Sequence, residues 1–207
     1  MNDALTFLTQ GGPVIWAIAA LSVITLALSL WKIWQFLQIG VWSGGTVTDS
    51  AIACWQAGDA ETGLSRIRGR KSVRARLAAT AMAARLDPAL TPDTARDETT
   101  RVARSLLSEA RGGFRALELI ATIAPLLGLL GTVLGMIAAF QALQTAGSRA
   151  DPSALAGGIW EALLTTAAGM VVAIPASMML TWFESVVDRL QADMEDAATR
   201  IFTRGPE

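Results

Sequence analysis

The chain has 207 residues, of which 52% are hydrophobic and 17% are charged, and its formal net charge is −1. This composition is too apolar for a soluble domain of the same length and favours a membrane protein. The absence of histidine and the single cysteine, Cys54, exclude a disulfide framework, a Cys/His metal site and histidine acid–base catalysis. No plausible nucleophile, base and orienting group converge at recognisable spacing. We therefore expect no enzyme, no cofactor and no metal site.

The first apolar run contains no charged residue between Asp3 and Lys32. Residues 13–31 are almost entirely apolar, about the 20 residues that a helix needs to cross a hydrocarbon core of roughly 30 Å. No lysine or arginine precedes the run, unlike the basic leader of a cleavable signal peptide, so we expect the span to be retained. We assign residues 12–36 to the first transmembrane helix.

Residues 37–115 form a predicted domain of short helices joined by turns. Asp59 is an expected helix N-cap, and Asp87 with the following Pro88 ends a helix-forming stretch at residues 73–86. The same segment contains a basic cluster, namely Arg66, Arg68, Arg70, Lys71, Arg74 and Arg76. The cluster could bind nucleic acid or anionic lipid headgroups, but no aromatic residues are interleaved to stack on bases, and a solvated face is favoured.

The last part of this domain is predicted to run into the second span. Thr91 is an expected N-cap with Pro92 at the first helical position. Apolar residues then recur at helical spacing, and they are Val102, Leu106, Ala110, Phe114 and Leu117. Since this stripe continues into the uncharged residues 119–148, we expect one long helix from about residue 92 to about residue 146, with residues 116–146 as the second transmembrane helix.

The third span is assigned to residues 154–183, after a loop at residues 147–153, and a helix at residues 184–207 is expected to follow it. The basic residues give the orientation, since 13 of the 17 lie between Lys32 and Arg115 and none precedes the first span. The positive-inside rule then places residues 1–11 and the loop in the periplasm, and residues 37–115 and 184–207 in the cytoplasm. The sequence thus predicts an all-α membrane protein whose long second and third helices extend into a helical cytoplasmic domain.

Glu161 is the only charged residue inside the third span. An ionised carboxylate in hydrocarbon costs several kcal/mol, so such a residue normally faces a bundle interior or a water path, or becomes protonated. The alternative is an interfacial glutamate that extends into water. Thr165 and Thr166, one turn further along the third span, are expected to place hydroxyl groups beside the carboxylate on the same side of the helix, and Thr132 adds another in the second span. A single threonine usually bonds back to its own helix. Together these four residues suggest a polar lumen that carries an ion.

Small residues and prolines mark the packing of the same two spans. Gly128, Gly131 and Gly135 lie at i, i+3 and i+7, and small residues on one face let helices approach closely in lipid. Pro125 and Pro175 remove backbone hydrogen bonds inside their spans, so kinks or hinges are expected there.

The stretches APLLGLLGTVLGM at residues 124–136 and GIWEALLTTAAGMVVAIPA at residues 158–176 resemble the signature of the MotA/TolQ/ExbB proton channel family, and are similar above all to ExbB and TolQ. The resemblance implies an inner-membrane homopentamer whose second and third spans line a lumen. The lumen would hold the helices of two copies of an ExbD- or TolR-like protein bearing an essential aspartate. By position in the motifs, Glu161 matches the family's third-span glutamate, and Thr132 and Thr166 match its pore threonines, whereas Thr165 stands where relatives can carry alanine.

The function implied by this resemblance is a proton-channel subunit that uses the proton motive force. Through an ExbD-like partner and TonB it would energise outer-membrane transport, or through a TolR-like partner and TolA it would serve the Tol-Pal system. Sodium is an alternative ion, because hydroxyl and carboxylate oxygens suit a hard cation. A non-conducting membrane scaffold is a second class of function. A solute carrier ranks last, since three spans without inverted repeats leave little room for a substrate site.

Overall fold

A computed structural model of the chain describes residues 12–146 and 152–204, and within these ranges every regular element is an α-helix. The helices are α1 (Gly12–Gln38), α2 (Gly45–Gln56), α3 (Ala60–Ile67), α4 (Val73–Leu86), α5 (Pro92–Arg111), α6 (Phe114–Ala146) and α7 (Pro152–Thr203). The predicted all-α fold is confirmed. The predicted N-terminal segment at residues 1–11, most of the loop at residues 147–153 and the end of the C-terminal helix lie outside the described residues.

Three stretches of helix are long and apolar enough to cross a membrane. They are Gly12–Gln38 and Pro92–Thr145, each with a mean hydropathy of 2.2 in its most apolar window, and Leu155–Thr203, with a value of 1.8. The three predicted spans are therefore confirmed, and the second and third extend well beyond their apolar parts. The positions at which each helix enters and leaves the membrane stay predictions.

The expected single helix from residue 92 to residue 146 is interrupted at Gly112 and Gly113. Gly113 has a φ of 85°, a left-handed conformation in which a glycine has no Cβ to clash. Helix α5 ends at Arg111 and α6 begins at Phe114. The prediction of a continuous helix is wrong at these two residues. The apolar residues keep their helical spacing across Gly112 and Gly113, but the backbone leaves the helical conformation there.

The helix ends predicted within residues 37–115 are confirmed. The Asp59 carboxylate accepts a hydrogen bond of 3.1 Å from the backbone N–H of Thr62 at the start of α3. Thr91 caps α5 by accepting from the Thr94 N–H at 3.3 Å, with Pro92 at the first helical position. Helix α4 ends at Leu86, directly before Asp87 and Pro88. Each cap satisfies a backbone donor that a helix end leaves without an internal partner.

The chain divides into two compact units. The membrane unit is Met1–Leu30 with Gly113–Thr181, and it therefore contains most of α1, all of α6 and the first part of α7. Its core is formed by residues of all three helices, which are Ile18, Ile120, Ala124, Val172, Ala173 and Ala176. Large apolar side chains on the outside of this unit stay exposed, for example Val23 at 68% and Val171 at 70%. Such a surface suits contact with lipid or with other membrane helices.

The helical unit is Trp31–Gly112 with Trp182–Glu207. Its core gathers residues of α2, the α3 end, α4 and the last part of α7, and Trp55 lies at its centre with no exposed surface. The Trp55 indole N–H donates to the carbonyl oxygen of Ile201 at 3.1 Å. This buried aromatic residue fixes the last turn of α7 onto the helices that precede it in the chain.

Candidate functional site

Helices α6 and α7 form an antiparallel pair in the membrane unit, and small residues let them approach closely. A Cβ atom added at Gly128 would lie 2.9 Å from the Thr166 Cα, and one added at Gly131 would lie 2.5 Å from the Thr165 hydroxyl oxygen. At Gly135 the added atom would lie 3.0 Å from the Ala162 Cβ. All three predicted packing glycines thus face α7, and any side chain at these positions would push the helices apart.

The facing surface of α7 is built from small residues that the sequence argument did not single out. A Cβ added at Gly158 would lie 2.8 Å from the Ala139 Cβ, and one added at Gly169 would lie 2.5 Å from the Ala124 carbonyl oxygen. Ala162, which lies between these two glycines in the sequence, is almost fully buried. The spacing of Gly158, Ala162 and Gly169 was readable as a small-residue stripe, complementary to the one on α6.

Thr165 and Thr166 use their hydroxyl groups differently. Thr165 is 3% exposed, donates to the Ala162 carbonyl oxygen at 2.7 Å and lies 3.3 Å from that of Gly128. Thr166 is half-buried and donates across the helix pair to the Gly128 carbonyl oxygen at 3.1 Å. The sequence groups Thr165 with the ion pathway, whereas the structure buries it in the helix interface, because Gly131 leaves room for its side chain.

Thr132 lies one helical turn after Gly128 on α6, and its hydroxyl donates to the Leu129 carbonyl oxygen at 2.6 Å. Thr132 directly follows Gly131, and Thr166 directly follows Thr165, which contacts Gly131 across the antiparallel pair. Since neighbouring residues lie about 100° apart around a helix axis, Thr132 and Thr166 share one edge of the pair. Both hydroxyl hydrogens are used by backbone carbonyls. Their lone pairs can still accept hydrogen bonds from water or a hydrated proton. Thr132 also lines an open groove along α6 with Met136, Phe140 and Gln144.

Glu161 lies on the opposite edge of the pair from Thr166. Five residues separate the two on α7, which places them about 140° apart around the helix axis. Glu161 is about 40° from Thr165, so of the two threonines only the buried one shares its side of α7. We expected both threonines to stand beside the carboxylate, and this holds for Thr165 alone. Consecutive residues of an α-helix lie about 100° apart around its axis, so Thr166 points away from the side that Glu161 and Thr165 share.

The Glu161 carboxylate is half-buried and has no hydrogen-bond or ion-pair partner among residues 12–146 and 152–204. Helix α7 begins at Pro152, which puts Glu161 about 13 Å along the helix and inside its apolar stretch. A carboxylate at such a position needs a partner, a water path or a proton. The apolar stretches of the two helices, residues 119–146 of α6 and 152–183 of α7, contain neither a lysine nor an arginine to pair with it.

Both prolines lie inside continuous helices, Pro125 in α6 and Pro175 in α7. Each lacks the N–H that would bond to the carbonyl four residues earlier, so each helix has one weakened turn. Pro125 lies three residues before Gly128, the residue whose carbonyl receives the Thr166 hydroxyl. The weakened turn of α6 and the hydroxyl contacts between the helices are therefore adjacent. The role of either proline as a hinge stays a prediction.

Comparison with known proteins identifies relatives of this chain. Residues 70–196, more than half of the chain, match the model of the MotA/TolQ/ExbB proton channel family. The chain is 43% identical over 83 residues to the biopolymer transport protein exbB1 of Vibrio cholerae serotype O1, an alignment that covers 40% of this chain and 36% of that protein.

Two further relatives carry different names. The biopolymer transport protein ExbB of Xanthomonas campestris pv. campestris is 40% identical over 79 residues, which are 38% of this chain and 31% of that protein. The Tol-Pal system protein TolQ of Haemophilus influenzae is 40% identical over 77 residues, which are 37% of this chain and 33% of that protein. The alignments with these three relatives span only about a third of each relative's own length.

Proposed function

This chain belongs to the MotA/TolQ/ExbB proton channel family, and we propose that it is the proton-conducting subunit of an inner-membrane motor that energises outer-membrane transport. The observation that carries the proposal is the position of Glu161. Its carboxylate lies inside the apolar part of α7 without a partner in the described part of the chain. A scaffold of packed helices has no use for such a group, whereas an ion pathway requires one.

The partner that completes the site is proposed to be an ExbD-like protein with one membrane span. A carboxylate on that span would take up a proton that enters from the periplasm. Thr132 and Thr166 then offer hydroxyl oxygens along the inward path, and the proton leaves to the cytoplasm. Loss of charge on the partner's carboxylate removes its attraction to polar groups of the ring, which frees the partner to turn. A TonB-like protein would transmit this motion to outer-membrane receptors.

The arrangement of the helix pair supports an oligomeric ring, and a homopentamer is the proposed form. Within one copy the pair carries Glu161 on one edge and the two pathway threonines on the other. A single copy therefore leaves the carboxylate and the hydroxyls apart. When copies stand side by side around an axis, the edge with Glu161 of one copy meets the edge with Thr132 and Thr166 of the next. Thr165 has a packing role in this proposal.

The proposed orientation follows the basic residues, with the N-terminus in the periplasm and the helical unit in the cytoplasm. In this orientation Glu161 lies nearer the periplasmic side, since α7 starts there. Protons moving down their gradient would reach Glu161 before the threonines. The proposal involves no cofactor and no covalent chemistry, because the proton is the only species that binds and leaves.

The test is proton flux through the full chain reconstituted in vesicles with the ExbD-like protein of the same organism. A pH-sensitive dye inside the vesicles reports the flux driven by an imposed membrane potential. We expect Glu161→Gln to reduce the flux to that of protein-free vesicles. The matched control is Glu184→Gln, the same chemical change at an exposed residue beyond the apolar run, which should conduct as the parent chain does. Assembly of each variant is checked by its mass in detergent.

If the Glu161→Gln variant assembles normally and still conducts protons, the proposal is contradicted, and a membrane scaffold, in which Glu161 only supports helix packing, becomes the favoured function. Replacing sodium with potassium in the buffers separates the two candidate ions, since a sodium pathway loses its current and a proton pathway keeps it. A TolQ-like role is the second candidate, supported by the TolQ relative at 40% identity. Deletion of the gene should impair uptake through TonB-dependent receptors in the first case, and sensitise the cell envelope to detergent in the second.

A further inference from the structure

A basic concave surface lies at the C-terminal end of α1, within the helical unit. It is lined by three cationic side chains, Arg70, Lys71 and Arg76, together with Gln38, Ile39 and Thr80. No aspartate or glutamate lines it in the described structure. The surface combines two features of a site for an anion, namely converging positive charge and a recess that can receive a group. We call it the basic recess.

The charges of the basic recess are available for a ligand. Arg70, Lys71 and Arg76 are all exposed, and none of them forms an ion pair with another described residue. The Arg70 Nε donates to the Arg66 carbonyl oxygen at 3.1 Å, which holds the guanidinium in place while its terminal nitrogens stay open to solvent. Arg74, between them in the sequence, is instead paired with Asp193.

The depth of the recess relative to the membrane follows from α1. The apolar run of α1 ends at Trp31 and the first charge is Lys32, so we predict the hydrocarbon boundary near these residues. Gln38 is seven residues further, which is about 10 Å along the helix axis. A headgroup layer extends roughly 5–8 Å beyond the hydrocarbon. Long arginine and lysine side chains on the recess can therefore reach the phosphates of that layer.

Exposed tryptophans independently mark the same layer. Trp31, Trp34 and Trp42 are exposed by 46%, 59% and 50%, and Trp42 stacks on Trp182 with ring centroids 6.1 Å apart. Large aromatic residues that stay exposed at the end of an apolar helix are typical of a membrane interface, where the ring meets headgroups. All four belong to the helical unit, as the recess does.

We propose that the basic recess binds the headgroup of an anionic phospholipid at the end of the first membrane helix. A headgroup with net negative charge, such as phosphatidylglycerol, leaves its phosphate charge uncompensated, whereas the choline of phosphatidylcholine compensates it. Arg70 and Arg76 would hold the phosphate through charge-assisted hydrogen bonds, and Lys71 adds a third cation. Lipid binding at the basic recess does not depend on the proposed proton pathway, because no residue of the recess belongs to that pathway.

The experiment is native mass spectrometry of the full chain purified in mild detergent and mixed with equal amounts of phosphatidylglycerol and phosphatidylcholine. We expect the parent chain to retain phosphatidylglycerol in preference. Arg70→Gln with Arg76→Gln should weaken retention roughly 30-fold, the factor for two lost cation contacts at a membrane surface. The matched control is Arg66→Gln with Arg68→Gln, which removes the same charge from exposed residues of the same segment outside the recess. The control should stay within about threefold of the parent chain.

Equal losses in the two double variants would overturn the proposal, since they would mean a general attraction by the basic segment. Binding of inorganic phosphate alone, with displacement of the lipid at millimolar phosphate, would overturn it in favour of a soluble anion site. Thermal unfolding followed by circular dichroism checks that each variant folds. If the Arg70→Gln/Arg76→Gln variant melts early, Lys71→Gln supplies the same test at an exposed residue, with an expected loss of roughly fivefold.

Discussion

The membrane unit and the helical unit of this chain are held together in different ways. In the membrane unit, α6 and α7 meet through glycine, alanine and threonine, and hydroxyl groups bond to backbone carbonyls such as that of Gly128. All five ion pairs that the described residues form lie in the helical unit, for example Arg74 with Asp193 and Arg200 with Asp49. The helical unit also has a large buried aromatic centre, Trp55.

The difference reflects the solvent around each unit. In water, burial of apolar area is the main driving force, so a large side chain at the centre contributes most. In lipid that force is nearly absent between helices, so close approach of backbones and bonds to carbonyls matter more. Truncation of a large buried side chain should therefore destabilise the helical unit. Addition of a methyl group at a glycine between the helices should destabilise the membrane unit.

Trp55→Ala should cause the largest loss of stability of the changes considered. It empties the centre of the helical unit and leaves the Ile201 carbonyl oxygen without its indole donor. We expect the free energy of unfolding of this unit to fall by about 3–5 kcal/mol. Hydrogen exchange of the full chain in detergent, read by mass spectrometry for the two units separately, measures the effect. Protection should be lost in residues 45–86 and retained in residues 119–139.

The control for this change is Trp34→Ala, which removes the same side chain at a residue exposed by 59%. Its exchange pattern should match that of the parent chain in both units. Equal loss of protection in both units after Trp55→Ala would mean that they unfold together. The distinction between the two units would then fail as a description of stability.

Gly169→Ala tests the membrane unit with a single added methyl group. The new Cβ would lie 2.5 Å from the Ala124 carbonyl oxygen, a backbone atom that cannot turn aside. We expect the separation of α6 and α7 to cost about 1–3 kcal/mol, the usual range for overpacking. The thermal midpoint of the chain in detergent should fall, and exchange should rise in residues 124–135.

Gly157→Ala is the matched control, because it makes the same change on the same helix where nothing lies within 4 Å of the new Cβ. It should be neutral or slightly stabilising, since alanine favours the helix over glycine. An equal effect of the two substitutions would show that helix propensity rather than close packing decides stability here.

Local signals predicted the helices of the helical unit well. Asp59, Thr91 with Pro92, and Asp87 with Pro88 act within a few residues of themselves, so their consequences can be read along the chain. The break at Gly112 and Gly113 could not be read in this way. Paired glycines tolerate both a helix and a turn, and tertiary contacts choose between them.

Part of the candidate site was also predictable, and part was not. The glycine spacing on α6 indicated its packing face, and the partner stripe on α7 followed the same rule. The burial of Thr165 depends on which residue faces it across the pair, which only the structure supplies. The separation of Glu161 from Thr166 follows from helix geometry alone and was within reach of the sequence.

Lys32 was read from the sequence only as the charge that ends an apolar run. In the structure it is 1% exposed and its ammonium group donates to the Gly112 carbonyl oxygen at 2.6 Å and to the Gln35 side-chain oxygen at 2.8 Å. The ring of Phe36 lies 5.0 Å away. This lysine therefore bonds to the backbone at Gly112, directly after the last residue of α5, and its partner is remote in the sequence.

Lys32→Met is the smallest of the predicted effects and the most local. Methionine keeps most of the volume but leaves the Gly112 carbonyl oxygen without its donor, while the cost of burying an ammonium group disappears. We expect a net loss of about 1 kcal/mol, with faster hydrogen exchange confined to residues 109–112. The control is Lys71→Met, since Lys71 is the other lysine of the chain and is exposed.

Acetylation with a succinimide ester sharpens the same contrast without a mutation, because only these two lysines can react in the folded chain besides a free N-terminus. Lys71 should be modified rapidly and Lys32 only as the helical unit opens. Equal rates at the two lysines would mean that the buried ammonium contact does not persist in solution. The turn at Gly112 would then be set by its two glycines rather than by the contact with Lys32.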